Sequence, residues 1–194
     1  MINRILFTAG QTFYLFSPLL VAAAVSGVVL RFDLLPSLRR PIDGGMRCRG
    51  KRLFGDNKTW RGVITAVLGS IFAVLVQKYV LGKYVLHLAL IDYAQANPLL
   101  LGLAIGCGNA LGELPNSFVK RQIGIAPGAT GRGFRRLVFY LWDQLDLLSI
   151  TWPLLLFWIR PTLLMIAISI LLVLAVHPMI SLIGYLIGAR KTAR

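Results

Sequence analysis

The chain has 194 residues, of which 57% are hydrophobic and only 14% are charged. A soluble globular domain carries about 25% charged residues. This composition therefore excludes a soluble globular protein and predicts an integral membrane protein. The formal net charge of +14 is compatible in principle with a nucleic-acid partner. Because the basic residues fall in short loops between apolar runs, we expect the bilayer and its anionic headgroups as partners, and no nucleic acid.

Five apolar runs, each long enough to cross a bilayer, predict an all-α integral membrane protein. We interpret residues 1–194 as a single domain, because the connections between the runs are too short for a soluble module. The predicted spans are, in chain order, residues 13–30, 62–81, 98–119, 137–159 and 162–187. Within the third span, Pro115 predicts a bend or a break of the helix.

Lysine and arginine are distributed unequally about the predicted spans. The loops at residues 31–61 and 120–136 hold nine and five of them, and the C-terminal tail holds three. With five spans, these three regions lie on one side. The other side has four basic residues: Arg4, Lys78, Lys83 and Arg160. The positive-inside rule therefore predicts an N-terminus outside the cell membrane and two basic loops in the cytoplasm.

Two glycine pairs in the third span have the GxxxG spacing that lets helices approach closely. These pairs are Gly102 with Gly106 and Gly108 with Gly112. The spacing is compatible with a homodimer, and it is equally compatible with helix packing inside one chain. Packing is the simpler interpretation of all four glycines.

Three of the seven acidic residues lie in a stretch where apolar sequence is expected: Glu113, Asp143 and Asp146. Asp143 and Asp146 are three residues apart, so their carboxylates share one helix face. Two carboxylates held close together repel each other unless one is protonated or a cation lies between them. A hard divalent cation with oxygen ligands meets that need and suits phosphate chemistry, so the pair predicts a Mg²⁺ site.

A polar stripe runs along the third span towards its cytoplasmic end. Its members are spaced by four, three and four residues, which places them on one helix face: Asn109, Glu113, Asn116 and Lys120. Ser117 lies one turn from Glu113. We expect the stripe to face the Asp pair, because no other predicted span carries acids. The alternative is that Glu113 and the Asp pair only neutralise nearby lysines and arginines.

The segment GDNKTWRG, residues 55–62, leads into the second span. Lys58 and Arg61 are three residues apart and suit the two sides of a polyphosphate, and Thr59 offers a hydroxyl. Asp56 and Asn57 are alternative candidate caps for the following helix. The alternative for both cations is an ordinary place on the positive side of the membrane. Basic residues opposite a carboxylate–metal centre are typical of phosphoryl or nucleotidyl transfer.

With these segments in order, the chain resembles the CDP-archaeol synthase family, relatives of the CDP-diacylglycerol synthases. The segments are PIDGG (41–45), GDNKTWRG (55–62), S-x-x-KR (117–121), IGIAPG (123–128) and DQLD (143–146). The resemblance implies five spans and a reaction of CTP with a membrane lipid phosphate that yields a CDP-lipid and pyrophosphate. The chain departs from the archaeal pattern at Gly112-Glu113, where the family has Gly-Asp.

The resemblance also implies roles for individual residues. The metal ligands would be Asp143 and Asp146, with Glu113 as a third candidate. The phosphate-handling residues would be Lys58, Arg61, Lys120 and Arg121, with Lys120 part of the catalytic set. Asp43 and Asp56 would lie in the loop that faces the nucleotide, and Thr59 and Ser117 are further candidate substrate contacts.

Three alternatives to this reading remain at the level of the sequence. They are a non-catalytic membrane protein, a small transporter with a degenerate site, and an enzyme that acts on another lipid phosphate. A transporter more often shows inverted repeats and polar groups near the bilayer midplane. Here the polar residues gather at one end of the predicted spans, which favours an enzyme with its active site facing the cytoplasm.

Overall fold

Helices dominate the computed structural model, which describes residues 1–127, 129 and 133–188. Within that part the α-helices are, in chain order, α1 (Ile2–Arg31), α2 (Trp60–Val76), α3 (Gly82–Val85), α4 (Pro98–Gln122), α5 (Phe134–Leu155) and α6 (Leu163–Leu186). A π-helical segment, Gln77–Leu81, joins α2 to α3. Two-residue strands β1 (Arg47–Cys48) and β2 (Lys51–Arg52) pair antiparallel in the first basic loop. The predicted all-α membrane fold is confirmed.

Four helical segments of the described chain are long and apolar enough to cross a membrane. They are Ile2–Arg31, Trp60–Leu88, Pro98–Gln122 and Leu163–Leu186. The remaining long helix, α5, carries the Asp pair and two arginines, so its apolar character is weaker. It ends at Leu155, four residues before the end of the predicted span, and the chain turns there ahead of Pro161. The fifth crossing therefore stays a prediction, whereas the fifth long helix is present.

Local capping explains where several helices begin. Asn97 accepts a hydrogen bond from the Leu99 N–H at 2.9 Å, and Pro98 follows as the first residue of α4. Thr59 caps α2 and Thr162 caps α6 in the same manner. Of the bend or break predicted at Pro115, the break is wrong, because α4 continues through Pro115 to Gln122. A proline inside a membrane helix removes one backbone hydrogen bond, and packing by neighbouring helices makes this tolerable.

Glycines bring the long helices into close contact. A Cβ atom at Gly106 would lie 2.5 Å from the Val67 Cα, so α2 and α4 touch through their backbones. On the other face of α4, a Cβ at Gly108 would lie 2.6 Å from the Thr151 Cα of α5. Both GxxxG patterns are thus used for packing within the chain, one towards α2 and one towards α5.

A buried polar network holds the end of the bundle opposite the basic loops. Gln77 donates to the Tyr14 carbonyl at 2.6 Å, and the Tyr93 hydroxyl donates to the Gln77 side-chain carbonyl at 2.8 Å. The network ties the connection before α4 to α1 and to the π-helical segment that follows α2. Its polar atoms are paired with one another, which lowers the cost of burying them.

Candidate active site

The first basic loop is organised around the buried carboxylate of Asp43, which is 1% exposed. It accepts hydrogen bonds from the backbone N–H groups of Gly45, Phe54 and Gly55 at 3.0 to 3.2 Å. It also accepts one from the Arg52 guanidinium at 2.8 Å. Burial by itself would raise the pKa of Asp43, but these donors outweigh it and lower the pKa to about 2. Asp43 therefore shapes the loop from inside.

Replacing Asp43 tests this role. Asp43→Asn is expected to lower the free energy of unfolding by roughly 2–4 kcal/mol, because a neutral amide no longer compensates Arg52 and turns an NH2 group towards backbone donors. The pKa of Asp43 is lower in the folded protein than in the unfolded chain. The charge of Asp43 therefore stabilises the fold fully above the ordinary aspartate pKa of about 4. This stabilisation is lost as the pH falls through about 2.

Thermal unfolding in detergent at several pH values measures the effect. The difference between the unaltered protein and Asp43→Asn should be constant above about pH 5 and shrink below about pH 4. Asp56→Asn is the control, because that side chain is 74% exposed. A difference that stays unchanged down to about pH 2 would contradict the assigned pKa.

The end of the first loop meets α4 through an ion pair. Lys58 donates to the Glu113 carboxylate, which joins the GDNKTWRG segment to the polar stripe of α4. Thr59, the next residue, accepts a hydrogen bond from the Gly62 N–H at 3.3 Å and so begins α2. Lys58 therefore lies in the loop just before α2, and its side chain extends to Glu113 of α4.

The stripe of α4 and the acid pair of α5 lie together. Asn116 donates through Nδ2 to Asp143 Oδ1 at 2.7 Å and to Asp146 Oδ2 at 3.3 Å. Lys120 pairs with Asp143, and its ammonium lies 5.5 Å from the centre of the Phe139 ring. Asp146 is 4% exposed, and its Oδ1 has no hydrogen-bond partner among the described residues. One amide thus links two carboxylates, one of which keeps an unsatisfied buried oxygen.

A cavity of about 1310 Å³ connects these groups with an apolar surface. Seven of the predicted site residues line its polar part: Lys58, Thr59, Glu113, Ser117, Lys120, Asp143 and Asp146. The apolar part lies between α1 and α6, where its lining includes Phe16, Leu20, Leu172 and Val176. Charged and hydrocarbon-like surfaces therefore meet in one chamber, which suits a ligand with a polar head and apolar tails.

Four predicted site residues lie elsewhere. Asp43 is inside the first loop, as described. Arg61 is 7% exposed and donates to Asp33 Oδ1 at 2.6 Å and to the Leu34 carbonyl at 3.2 Å. Arg121 donates to the Ile125 carbonyl and lines a separate pocket of about 300 Å³ together with Asp56. Among the described residues, these four do not line the cavity that holds the acid pair.

Three residues of the site received no individual role from the sequence. Asn116 belongs to the predicted stripe, but spacing alone does not show that one amide reaches both acids. Gln144 lies between the two aspartates and lines the cavity, although helical spacing turns it away from their shared face. Arg136 also lines the cavity, whereas the sequence shows it only as one of five basic residues at 120–136.

The two aspartates can supply part of the coordination shell of a magnesium ion. No group of three or more His, Cys, Asp and Glu side chains is placed to hold a metal in the described part of the chain. The available donors are the two aspartates, which line the cavity, and Asp146 Oδ1 has no hydrogen-bond partner among the described residues. Because proteins usually bind Mg²⁺ through one or two carboxylates together with water and substrate phosphates, this donor set suffices.

Fold and cavity together define an integral membrane protein with a cavity that is polar at one end and apolar at the other. A family model described as "CarS-like: CDP-archaeol synthase" matches residues 4–193. The CDP-archaeol synthase of Methanosphaerula palustris is 33% identical over 157 residues, which cover 77% of this chain and 87% of that protein. The CDP-archaeol synthase of Archaeoglobus fulgidus is 31% identical over 162 residues, covering 82% and 87%.

A solved structure, described as an intramembrane enzyme for archaeal membrane lipids biosynthesis, has the same fold. It aligns with a TM-score of 0.60 and 25% identity, covering 85% of this chain and 89% of that one. The chain belongs to the CDP-archaeol synthase family. It is accordingly an enzyme of lipid biosynthesis, a nucleotidyltransferase.

Proposed function

We propose that this enzyme transfers the cytidylyl group of CTP to an archaeol-type lipid phosphate, releasing pyrophosphate and leaving a CDP-lipid. The proposal is carried by one observation: a cavity whose acidic and lysine side chains adjoin an apolar groove. A soluble nucleotide and a membrane lipid need such a meeting place. The relatives named CDP-archaeol synthase support an isoprenoid ether lipid as the acceptor.

The lysines of the cavity bind the phosphates in this proposal. Lys58 and Lys120 are each paired with an acid, Glu113 and Asp143. When a triphosphate binds, the two lysines exchange these carboxylates for phosphate oxygens, because the triphosphate carries more negative charge. Asp143 and Asp146 are then available as ligands of Mg²⁺, with Glu113 as a third candidate. The bound ion would neutralise phosphate charge.

The chemistry needs positioning and charge rather than a protein nucleophile. An oxygen of the lipid phosphate attacks the α-phosphorus of CTP, the bond to the β-phosphate oxygen breaks, and pyrophosphate leaves with the electron pair. Lys58 and Lys120 stabilise the charge that builds up on the phosphate oxygens. The groove between α1 and α6 holds the lipid tails and thereby fixes the headgroup at the depth of the acids.

The proposal includes an orientation in the cell membrane. Residues 31–61 and 120–136, which are the first loop, the connection between α4 and α5 and the helix ends beside them, carry 14 of the 21 lysines and arginines. We therefore place these segments, and the site, at the cytoplasmic face. CTP then enters from the cytoplasm and the lipid enters sideways from the bilayer. One chain supplies all the groups named above, so a homodimer is compatible with the proposal without being needed. Membership of an enzyme family favours this reading over the transporter alternative.

A lipid panel tests the proposal. Purified protein is incubated with labelled CTP, Mg²⁺ and one lipid phosphate at a time: isoprenoid ether, acyl ester or polyprenyl. We expect a CDP-lipid with the isoprenoid ether and none without lipid. Folded protein that makes no CDP-lipid from any of them would overturn the function, and product from polyprenyl phosphate alone would overturn the acceptor.

Lys58 and Arg61 are expected to behave differently, although their spacing suggests one role. Lys58→Ala removes a cation from the cavity and should raise the KM for CTP by about 10- to 100-fold, at about 1.5–3 kcal/mol for a charge-assisted hydrogen bond. Arg61→Ala removes the hydrogen bonds to Asp33 Oδ1 and to the Leu34 carbonyl, so its main effect should be a lower unfolding temperature. Steady-state kinetics and thermal unfolding of both variants compare them. A larger KM effect from Arg61→Ala would reverse the assignment.

A further inference from the structure

A close approach between α4 and α5 lies at Gly112, next to the acid pair. A Cβ atom on Gly112 would lie 2.4 Å from the Asp146 carbonyl oxygen and 2.8 Å from the Leu147 Cα. Both are backbone atoms, so no rotamer change makes room for a side chain. Only a separation of the two helices does.

That separation would act on the bridge between the acids. Asn116 follows Gly112 by one helical turn, and its Nδ2 reaches Asp143 at 2.7 Å and Asp146 at 3.3 Å. Ordinary van der Waals contact begins at 3.4 Å, so an added Cβ would push the helices apart by about 1 Å. The bond to Asp146 is already long and would be broken by such a shift.

We propose that Gly112 is a positioning residue for the acid pair. Its bare backbone sets the spacing at which Asn116 holds the carboxylates of Asp143 and Asp146 together, ready to share one divalent cation. This rests on the proposed function, since the two aspartates are taken as the metal ligands. The glycine then serves the site as well as the packing of the bundle.

Gly102 provides a matched control on the same helix. A Cβ there would lie 2.5 Å from the Ile71 Cα, an equally severe backbone clash at the contact between α4 and α2. Gly102 is ten residues earlier in α4, well away from the acids. If these glycines matter only for packing, Gly102→Ala and Gly112→Ala should have the same consequences.

The experiment measures Mn²⁺ binding to the purified protein without nucleotide or lipid, by electron paramagnetic resonance. Gly112→Ala is expected to weaken Mn²⁺ binding by about 10- to 100-fold, the usual effect of disturbing the groups that orient metal ligands. Gly102→Ala should bind Mn²⁺ as the unaltered protein does, although both variants unfold at lower temperature. Equal Mn²⁺ affinities for the two variants, or no Mn²⁺ binding by the unaltered protein, would overturn the proposal.

Gly108→Ala keeps the proposal testable if Gly112→Ala does not fold. A Cβ at Gly108 would lie 2.4 Å from Thr151 Oγ1 and 2.6 Å from its Cα, which opens the same helix pair one turn farther from Asn116. We expect a smaller loss of Mn²⁺ affinity, and an unchanged affinity would overturn the proposal. Because the measurement needs neither CTP nor lipid, glycine-dependent Mn²⁺ binding without CDP-lipid synthesis would reject only the proposed function.

Discussion

Asp146→Asn is expected to lower kcat by about three orders of magnitude, the scale of losing a group that stabilises transition-state charge in a buried site. The amide keeps the shape of the side chain and its contact with Asn116, but it removes the charge that the metal requires. Folding should survive, because the change also removes a buried negative charge beside Asp143. Initial rates of CDP-lipid formation, together with thermal unfolding, measure both effects.

Asp92→Asn is the control for this replacement. Asp92 lies in the connection before α4, where it accepts a hydrogen bond from the Ala94 N–H at 2.9 Å. We expect its rate to stay within about twofold of the unaltered protein, as for a surface change of less than about 0.5 kcal/mol. Unchanged turnover in Asp146→Asn itself would show that the DQLD acids are structural and only balance the nearby cations.

Lys120→Met is expected to have the second largest effect, a loss of about 10²- to 10³-fold in kcat. Methionine is apolar and flexible enough to keep the packing against Phe139, so the missing charge is the main change. Of its two polar contacts in the described part of the chain, Asp143 then keeps the hydrogen bond from Asn116. The effect should fall on kcat more than on the KM for CTP, because Lys120 stabilises charge that develops during the reaction.

Lys78→Met serves as the comparison, since Lys78 donates to the Ala96 carbonyl at the opposite end of the bundle. Its kcat should stay within about twofold of the unaltered protein. If Lys120→Met raises the KM for CTP and leaves kcat unchanged, Lys120 binds substrate only and has no part in the chemical step.

Local helical periodicity explains what the sequence predicts well. The spacing of Glu113, Asn116 and Lys120 places them on one face of α4, and the spacing of Asp143 and Asp146 does the same on α5. Both sets lie inside continuous helices, so residue counting translates directly into direction. That these two faces meet followed from the scarcity of acids elsewhere in the predicted spans, which is a weaker but sufficient argument.

The direction of Arg61 shows where the same reasoning fails. The i, i+3 rule requires both residues to be helical, but α2 begins at Trp60, after its cap Thr59. Lys58 is therefore in the loop and turns towards Glu113, whereas Arg61 is helical and turns towards Asp33. The prediction that Arg121 shares the site with Lys120 fails for a related reason. Arg121 directly follows Lys120, and neighbouring side chains on a helix point about 100° apart.

Contacts between distant segments account for the remaining differences. Asp43 is surrounded by donors that follow it by two to twelve residues, and only the folded loop brings them together. The role of Gly112 likewise depends on a residue of another helix. Its GxxxG spacing predicts close packing but not the partner, and the partner turns out to be the backbone of a candidate metal ligand.

The position of the label in the product tests the central claim most directly. The enzyme, Mg²⁺ and an isoprenoid ether lipid phosphate are incubated in parallel with CTP labelled at the α-phosphorus and CTP labelled at the γ-phosphorus. Cytidylyl transfer predicts α-label in the lipid fraction and γ-label only in released pyrophosphate. Appearance of γ-label in the lipid, or of neither label, would contradict it.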